Sequence, residues 1–399
     1  MANVLVFNFP GEGHINPTIA LIEELIERGE QVVYYCIEDY RTKIEKTGAE
    51  FRPYENFLPG SISEKDRKDF NPQEMVKKLV KGMDQVIDEV LPVVQAEDYD
   101  YVIYDNNFAA GKIIAEQLQI PAISSCTTFA LNKKVMEEFM KNRENMQLEI
   151  PEDDELTQIL KKWQERYQFS VNSFPDVMNQ PGELTLVYTS ELYQPFAEEF
   201  DESYTFVGPS LKERKDVESF SFEDLPDQPL IYISMGTVFN DQPEFYQKCF
   251  EAFKDSNAMV LMSVGKKTDI RQFEEIPDNV DVYNYVPQLD VLQHADVFIT
   301  HGGMNSSSEG LYFGVPMIVI PAGGDQPIIA ERIEELEAGI HVDQDEVNAA
   351  KLNEAADHIL SHSAFAENSR KVGDSLKNAG GYKKAVEEVL RFKRQQQIQ

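Results

Sequence analysis

The stretch from Tyr285 to Ala330 constrains this chain most. It runs Y-V-P-Q-L-D-V-L-Q-H-A-D-V-F-I-T-H-G-G-M-N-S-S-S-E-G-L-Y-F-G-V-P-M-I-V-I-P-A-G-G-D-Q-P-I-I-A. The short apolar run Val297–Thr300 reads as a buried strand. His301 follows at its C-terminal end, and Gly302 and Gly303 then form a loop with no Cβ to hold a ligand off. Asn305 or Ser306 can cap a helix that runs to Tyr312–Phe313 and stops at Gly314. A second buried strand follows at Met317–Ile320. Gly323–Gly324 opens another loop, and Asp325, with Pro327 two places on, starts another helix. Strand, glycine loop and helix in succession predict an α/β fold with a parallel sheet.

Such a joint can hold an anion. The first N–H groups of a helix have no partner within it, and its dipole places about +0.5 charge there. A glycine turn before that end lets a diphosphate approach the backbone closely. His301 adds a donor, and Glu309, one turn into the helix, is placed to accept from ribose hydroxyls. In open α/β sheets, ligands sit at the carboxyl ends of strands, where both glycine loops fall. An ordinary strand–loop–helix joint has the same spacing.

The N-terminal part repeats the alternation. Val4–Phe9 reads as a strand and Pro10–Asn16 as a loop. Asn16 then caps a helix with Pro17 in its first turn and Ile19, Ile22, Leu25 and Ile26 on its apolar face. Gln31–Ile37 is the next strand. His14, in the first loop, lies beyond a strand's C-terminal end. It either bonds backbone or does chemistry. Tyr99–Tyr104 is a further strand ending at Asp105, then come a helix at Ala109–Leu118 and a strand at Ile120–Cys126. Asp105 either caps the following segment or orients an imidazole from a neighbouring strand end. Phe57–Val94 and Thr127–Gln180 read as irregular. The second holds Phe129, Met136, Phe139, Met140, Met146, Trp163, Phe169 and Met178, which suit an adaptable pocket or helix cores. Glu183–Ser190 and Thr205–Val207 close the first series.

Strands at Pro229–Ser234, Met259–Gly265 and Val280–Tyr285 belong to a second series. Ser234-Met-Gly-Thr237 is either a tight turn or a small-residue loop suited to a phosphate or sugar. The domains predicted are 1–207, a charged linker 208–228, a second Rossmann-like domain 229–380, and a C-terminal helix in 381–399.

Composition excludes several partners. Lys and Arg number 37 against 70 Asp and Glu, a net charge of -33. Nucleic acid and anionic lipid are repelled by such a chain. Cys36, Cys126 and Cys249 are scattered with no C-x-x-C pair, which predicts reduced thiols and a cytoplasmic protein. No apolar run approaches the roughly 20 residues that span a bilayer. His358 and His362 lie one helical turn apart without the Glu of H-E-x-x-H, so no metal site is expected.

Taken together, the motifs resemble the family 1 glycosyltransferases of the GT-B fold, in their bacterial macrolide- and flavonoid-type, UDP-dependent branch. The family pattern of P-Q, H-G-G-M-N-S-x-x-E-G, G-V-P and D/E-Q is met by Pro287–Gln288, His301–Gly310, Gly314–Pro316 and Asp325–Gln326. Gly13-His14-Ile15-Asn16-Pro17 matches the family's segment for the catalytic base. Plant members differ, with Trp at the position of Tyr285 and C-G-W in place of Gly302-Gly303-Met304.

The resemblance implies two doubly wound domains facing across a cleft, the first for acceptor and the second for UDP-sugar. It implies His14 as general base, Asp105 as its orienting partner, and an acceptor pocket built from the irregular regions. Donor contacts then fall to Ser234, Gly236, Thr237, Tyr285, Val286, Gln288, His301, Gly303, Asn305, Ser306, Ser307, Glu309, Asp325 and Gln326. A hexose, glucose first, would pass with inversion to a hydroxyl of a small apolar or aromatic acceptor. No metal or other cofactor is called for, and a monomer or weak dimer is expected. Two alternatives stand beside this. A GT-B epimerase could use the same domains. A dinucleotide oxidoreductase would use Gly11-Glu12-Gly13 with Glu38–Asp39 about 20 residues on, although Asn16 and Pro17 break its third glycine position.

Overall fold

The computed structural model describes residues 1–58, 71–140, 150–212, 228–237, 240, 242–266 and 268–398. The described residues fall into two compact units. One holds those up to Lys212 together with those from Ala379 onward, and the other holds those from 228 to Asn378. Most of the expected linker, 213–227, lies outside the described residues.

The first unit is a parallel sheet of β1 (Asn3–Phe7), β2 (Gln31–Cys36), β3 (Glu50–Pro53), β4 (Tyr101–Asp105), β5 (Ala122–Cys126), β6 (Leu184–Val187) and β7 (Tyr204–Phe206). Their spatial order is β3-β2-β1-β4-β5-β6-β7. Every residue of β4, β5 and β6 is buried. Strands covered on both faces read as unbroken apolar runs, which is why the central ones were legible.

The Pro72–Val94 helix corrects the expectation of an irregular segment. Asn71 caps it, accepting from Gln73 N–H at 3.0 Å. Its stripe of Leu79, Val80, Met83, Val86, Ile87, Val90 and Val94 joins the core. Gly82 and Pro92 mask the pattern in sequence. Gly82 is there for packing, since a Cβ would come within 2.2 Å of the Phe57 side chain. The second irregular region is also partly helical, at Lys133–Met140, Asp154–Tyr167 and Pro175–Met178. Trp163 is fully buried and its indole N–H donates to Asp84 at 2.8 Å, so it is a core residue. Met146 and the side chains of Phe139 and Met140 lie outside the described residues.

The Gly381–Gln395 helix completes this unit. Ala385, Val386, Val389 and Phe392 enter its core. Lys393 forms a buried ion pair with Glu30, whose other oxygen accepts from Ala2 N–H at 2.9 Å. Removing one partner of such a pair strands a charge, at a cost of about 3–5 kcal/mol.

The second unit is a parallel sheet of β8 (Leu230–Ser234), β9 (Met259–Ser263), β10 (Val280–Tyr283), β11 (Val297–Thr300), β12 (Met317–Val319) and β13 (Gly339–His341). Their order is β10-β9-β8-β11-β12-β13. The strand order of each unit reverses beside its first strand, which is where doubly wound sheets bind ligands. Among the described residues no helix is long and apolar enough to cross a membrane.

Candidate active site

In the first unit, sheet register gathers three strand ends. Phe7 of β1 pairs with Tyr104 of β4, and Asp105 of β4 pairs with Ser125 of β5. The segment after β1, Asp105 and Thr127 therefore converge.

His14 stands on a helix, not in a loose loop. Asn16 was expected as the cap, but the helix begins at Glu12 with Gly11 as N-cap. A tight turn explains the shift: Gly11 N–H donates to the Phe9 carbonyl at 2.8 Å. The N–H groups of His14 and Ile15 then close on the Gly11 carbonyl at 3.0 and 3.1 Å, before the chain reaches Asn16. Pro17 lies inside the helix. The His14 ring packs against Phe9, with centroids 4.8 Å apart.

His14 Nδ1 lies 2.9 Å from Asp105 Oδ2. Asp105 is completely buried, whereas the His14 side chain is 21% exposed. The other carboxylate oxygen accepts from Asn107 N–H at 2.8 Å. A carboxylate only accepts, so Nδ1 carries the proton and the lone pair falls on Nε2. Thr127 Oγ1 lies 3.1 Å from the same Nδ1. Sequence reasoning missed Thr127. Its signal was position, one residue past the end of β5 beside β4.

In the second unit, Thr300 of β11 pairs with Ser234 of β8. That register sets His301 against the Met235–Gly236 turn. A Cβ on Gly236 would lie 2.5 Å from His301 Cε1. Burial pushes the His301 imidazole down to about 4, because removal from water disfavours the cation. At neutral pH it is an uncharged ring with one N–H to donate.

The Met304–Tyr312 helix follows, capped by Gly303 rather than by Asn305 or Ser306. Glycine supplies no side-chain acceptor for the first-turn amides. Ser307 turns inward. Its hydroxyl donates to the Met304 carbonyl at 3.1 Å and its N–H to Gly303 at 2.9 Å, which removes it from a ligand surface. Glu309 is buried, and Gln288 Nε2 donates to its Oε2 at 2.7 Å. Tyr232 O–H donates in turn to Gln288 Oε1 at 3.2 Å.

Tyr285 is 47% exposed, and Lys266 Nζ lies 5.6 Å from its ring centroid. The Val286 side chain is buried, so it can meet a ligand only by its backbone. Ser234 is buried and Thr237 exposed. Asp325 is the N-cap position of the Gln326–Glu335 helix. Gln326 Oε1 accepts from Ala322 and Gly323 N–H at 2.7 and 3.2 Å, which ties down the second glycine loop.

With this geometry, the likeness to known proteins is informative. Residues 251–383 match the family model described as Erythromycin biosynthesis protein CIII-like, C-terminal domain. The chain is 40% identical over 395 residues to the "Uncharacterized UDP-glucosyltransferase YojK" of Bacillus subtilis (strain 168), covering 98% of this chain and 97% of that one. It belongs to the GT-B family 1 glycosyltransferases. The glycosyltransferase is also 36% identical to the "NDP-glycosyltransferase YjiC" of the same organism, over 98% of this chain and 97% of that one. It superposes on the crystal structure of CalG4, the calicheamicin glycosyltransferase, with a TM-score of 0.84, 26% identity and 98% of each chain covered. Full-length likeness to glycosyltransferases does not favour the epimerase or oxidoreductase alternatives.

His358 and His362 of the glycosyltransferase are exposed, with rings 4.2 Å apart. Among the described residues no three His, Cys, Asp or Glu side chains are grouped to hold a metal ion.

Proposed function

We propose that the enzyme transfers a hexose, glucose first, from a UDP-sugar to a hydroxyl of a small apolar or aromatic acceptor, with inversion at the anomeric carbon. His14 Nε2 takes the hydroxyl proton as the acceptor oxygen bonds to that carbon. The bond from carbon to diphosphate oxygen breaks, and UDP leaves with the electron pair. The observation that carries this reading is the 2.9 Å contact between His14 Nδ1 and the buried Asp105, on a ring still partly open to solvent. Asp105 fixes the tautomer and stabilises the imidazolium that forms. General-base catalysis of this kind typically contributes about 10²–10⁴-fold.

On the donor side, His301, the first-turn amides after Gly303 and the Ser234–Thr237 loop meet the charge growing on the leaving diphosphate. Tyr285 stacks on the base, and Glu309, fixed by Gln288, accepts from ribose hydroxyls. Asp325 and Gln326 address sugar hydroxyls. Gln326 does so through Nε2, since its Oε1 serves the loop amides. The charge is met by protein donors, so the reading contains no metal-dependent step. An apolar acceptor is supported by the aromatic flank of the base. Phe57 and Phe108 lie 5.9 and 6.2 Å from Phe9, which packs on His14. The names of the Bacillus relatives support UDP-glucose as donor.

The test offers UDP-glucose with phenols and macrolides and measures UDP release, with and without chelator. Glucosylated product and chelator-insensitive release are expected. Near-normal turnover by His14→Ala would remove His14 as base.

A further inference from the structure

Glycines in donor loops are ordinarily explained by the ligand, since the missing Cβ lets a phosphate reach the backbone. Gly323 and Gly324 fit that account, because a Cβ on either meets nothing within 4 Å. Gly302 packs on the sheet, where a Cβ would lie 2.4 Å from Val319 Cγ1. Gly236 and Gly303 are different. A Cβ on Gly303 would lie 2.6 Å from His301 Nε2, and one on Gly236 2.5 Å from Cε1 and 2.8 Å from Nε2. The same edge of one imidazole rests on both.

Backbone conformation does not require glycine at Gly303. Its φ of -63° and ψ of 145° suit any residue. Gly236, at φ 74°, is also favoured as glycine by its backbone. The other ring nitrogen is met by Thr300 Oγ1, 3.3 Å from Nδ1. We infer that Gly236 and Gly303 are positioning residues for His301: their missing side chains form the seat that fixes the imidazole's Nε2–Cε1 edge. The inference rests on the reading that His301 contacts the leaving diphosphate. Close packing of the ring is consistent with its resistance to protonation.

The experiment is a double-variant cycle at Gly303 and His301, with UDP binding measured by calorimetry. Gly303→Ala and His301→Ala should each weaken binding by about tenfold, as loss of a hydrogen bond to a charged group does. The double variant should bind like His301→Ala alone, because the added methyl no longer meets a ring. Additive losses would mean that the methyl obstructs UDP itself, and would overturn the inference. NMR titration of the His301 ring without ligand is the second readout. Its pKa should rise toward the ordinary value in Gly303→Ala, and an unchanged titration overturns the seat. If His301→Ala binds UDP as tightly as the parent, the donor reading fails, and the ring titration alone decides the seat. If Gly303→Ala does not fold, a folded double variant supports the seat and an unfolded one overturns it.

Discussion

The two units place an imidazole at the same switch point of their sheets and prepare it in opposite ways. In the first, the segment after β1 supplies His14 and the end of β4 supplies Asp105. In the second, the turn after β8 supplies Gly236 and the end of β11 supplies His301. β1 beside β4 and β8 beside β11 are the equivalent central pairs. The imidazole has changed sides. Where its neighbour is a buried carboxylate, one tautomer is fixed. Where its neighbours are glycine backbone and one hydroxyl, with no carboxylate partner among the described residues, burial keeps the ring neutral to about 4. A strand-end histidine thus takes its chemistry from what the adjacent strand delivers.

The comparison breaks most sharply in turnover. His14→Ala should lower kcat by about 10²–10⁴-fold while UDP affinity stays unchanged. Asp105→Asn should approach that loss, since an amide no longer demands a proton on Nδ1. Steady-state kinetics with UDP titration will show it, and a loss confined to KM would contradict the base assignment. His301→Ala should show the reverse split, with donor KM raised by about tenfold and a smaller fall in kcat.

A pH series sharpens the same contrast. The folded His301 pKa is lowered from 6.5 to about 4, so between these values the unfolded chain binds a proton that the folded one refuses. Its contribution to stability is therefore complete above 6.5, falls as pH drops toward about 4, and is flat below. Melting temperature measured from pH 7 to 4 should decline less steeply in His301→Gln than in the parent. Equal slopes would show that the ring titrates normally. The smallest effect is expected at Thr127. Thr127→Val removes the second acceptor beside the Nδ1–H, a contact worth about 1 kcal/mol, or about fivefold in kcat. Thr127→Ser should restore most of it, and a Val variant at parental rate would leave Thr127 without a part.

Much of the fold was legible because its signals are local. Val297–Thr300 and Ala109–Leu118 fall where apolar run and periodicity put them. Short strands at the sheet edges did not announce themselves. Glu50–Pro53 and Gly339–His341 carry no period, and they are strands because a neighbour offers its backbone groups. Pro72–Val94 was obscured by Gly82, whose reason is the Phe57 side chain packed against it. In the candidate sites, histidines, acids and glycines could be picked out by type. The inward orientation of Ser307 and the part of Thr127 beside His14 could not.

The sequence by itself determined the alternation of strands and helices, the glycine turns and the residues able to do chemistry, because each depends on neighbours a few positions away. Tertiary structure alone decided that Asp105 meets His14 across 91 positions and that Gly236 meets His301. Those meetings are set by which strands pair and in what register. Register follows from burying whole strand faces together, which no short stretch of chain specifies.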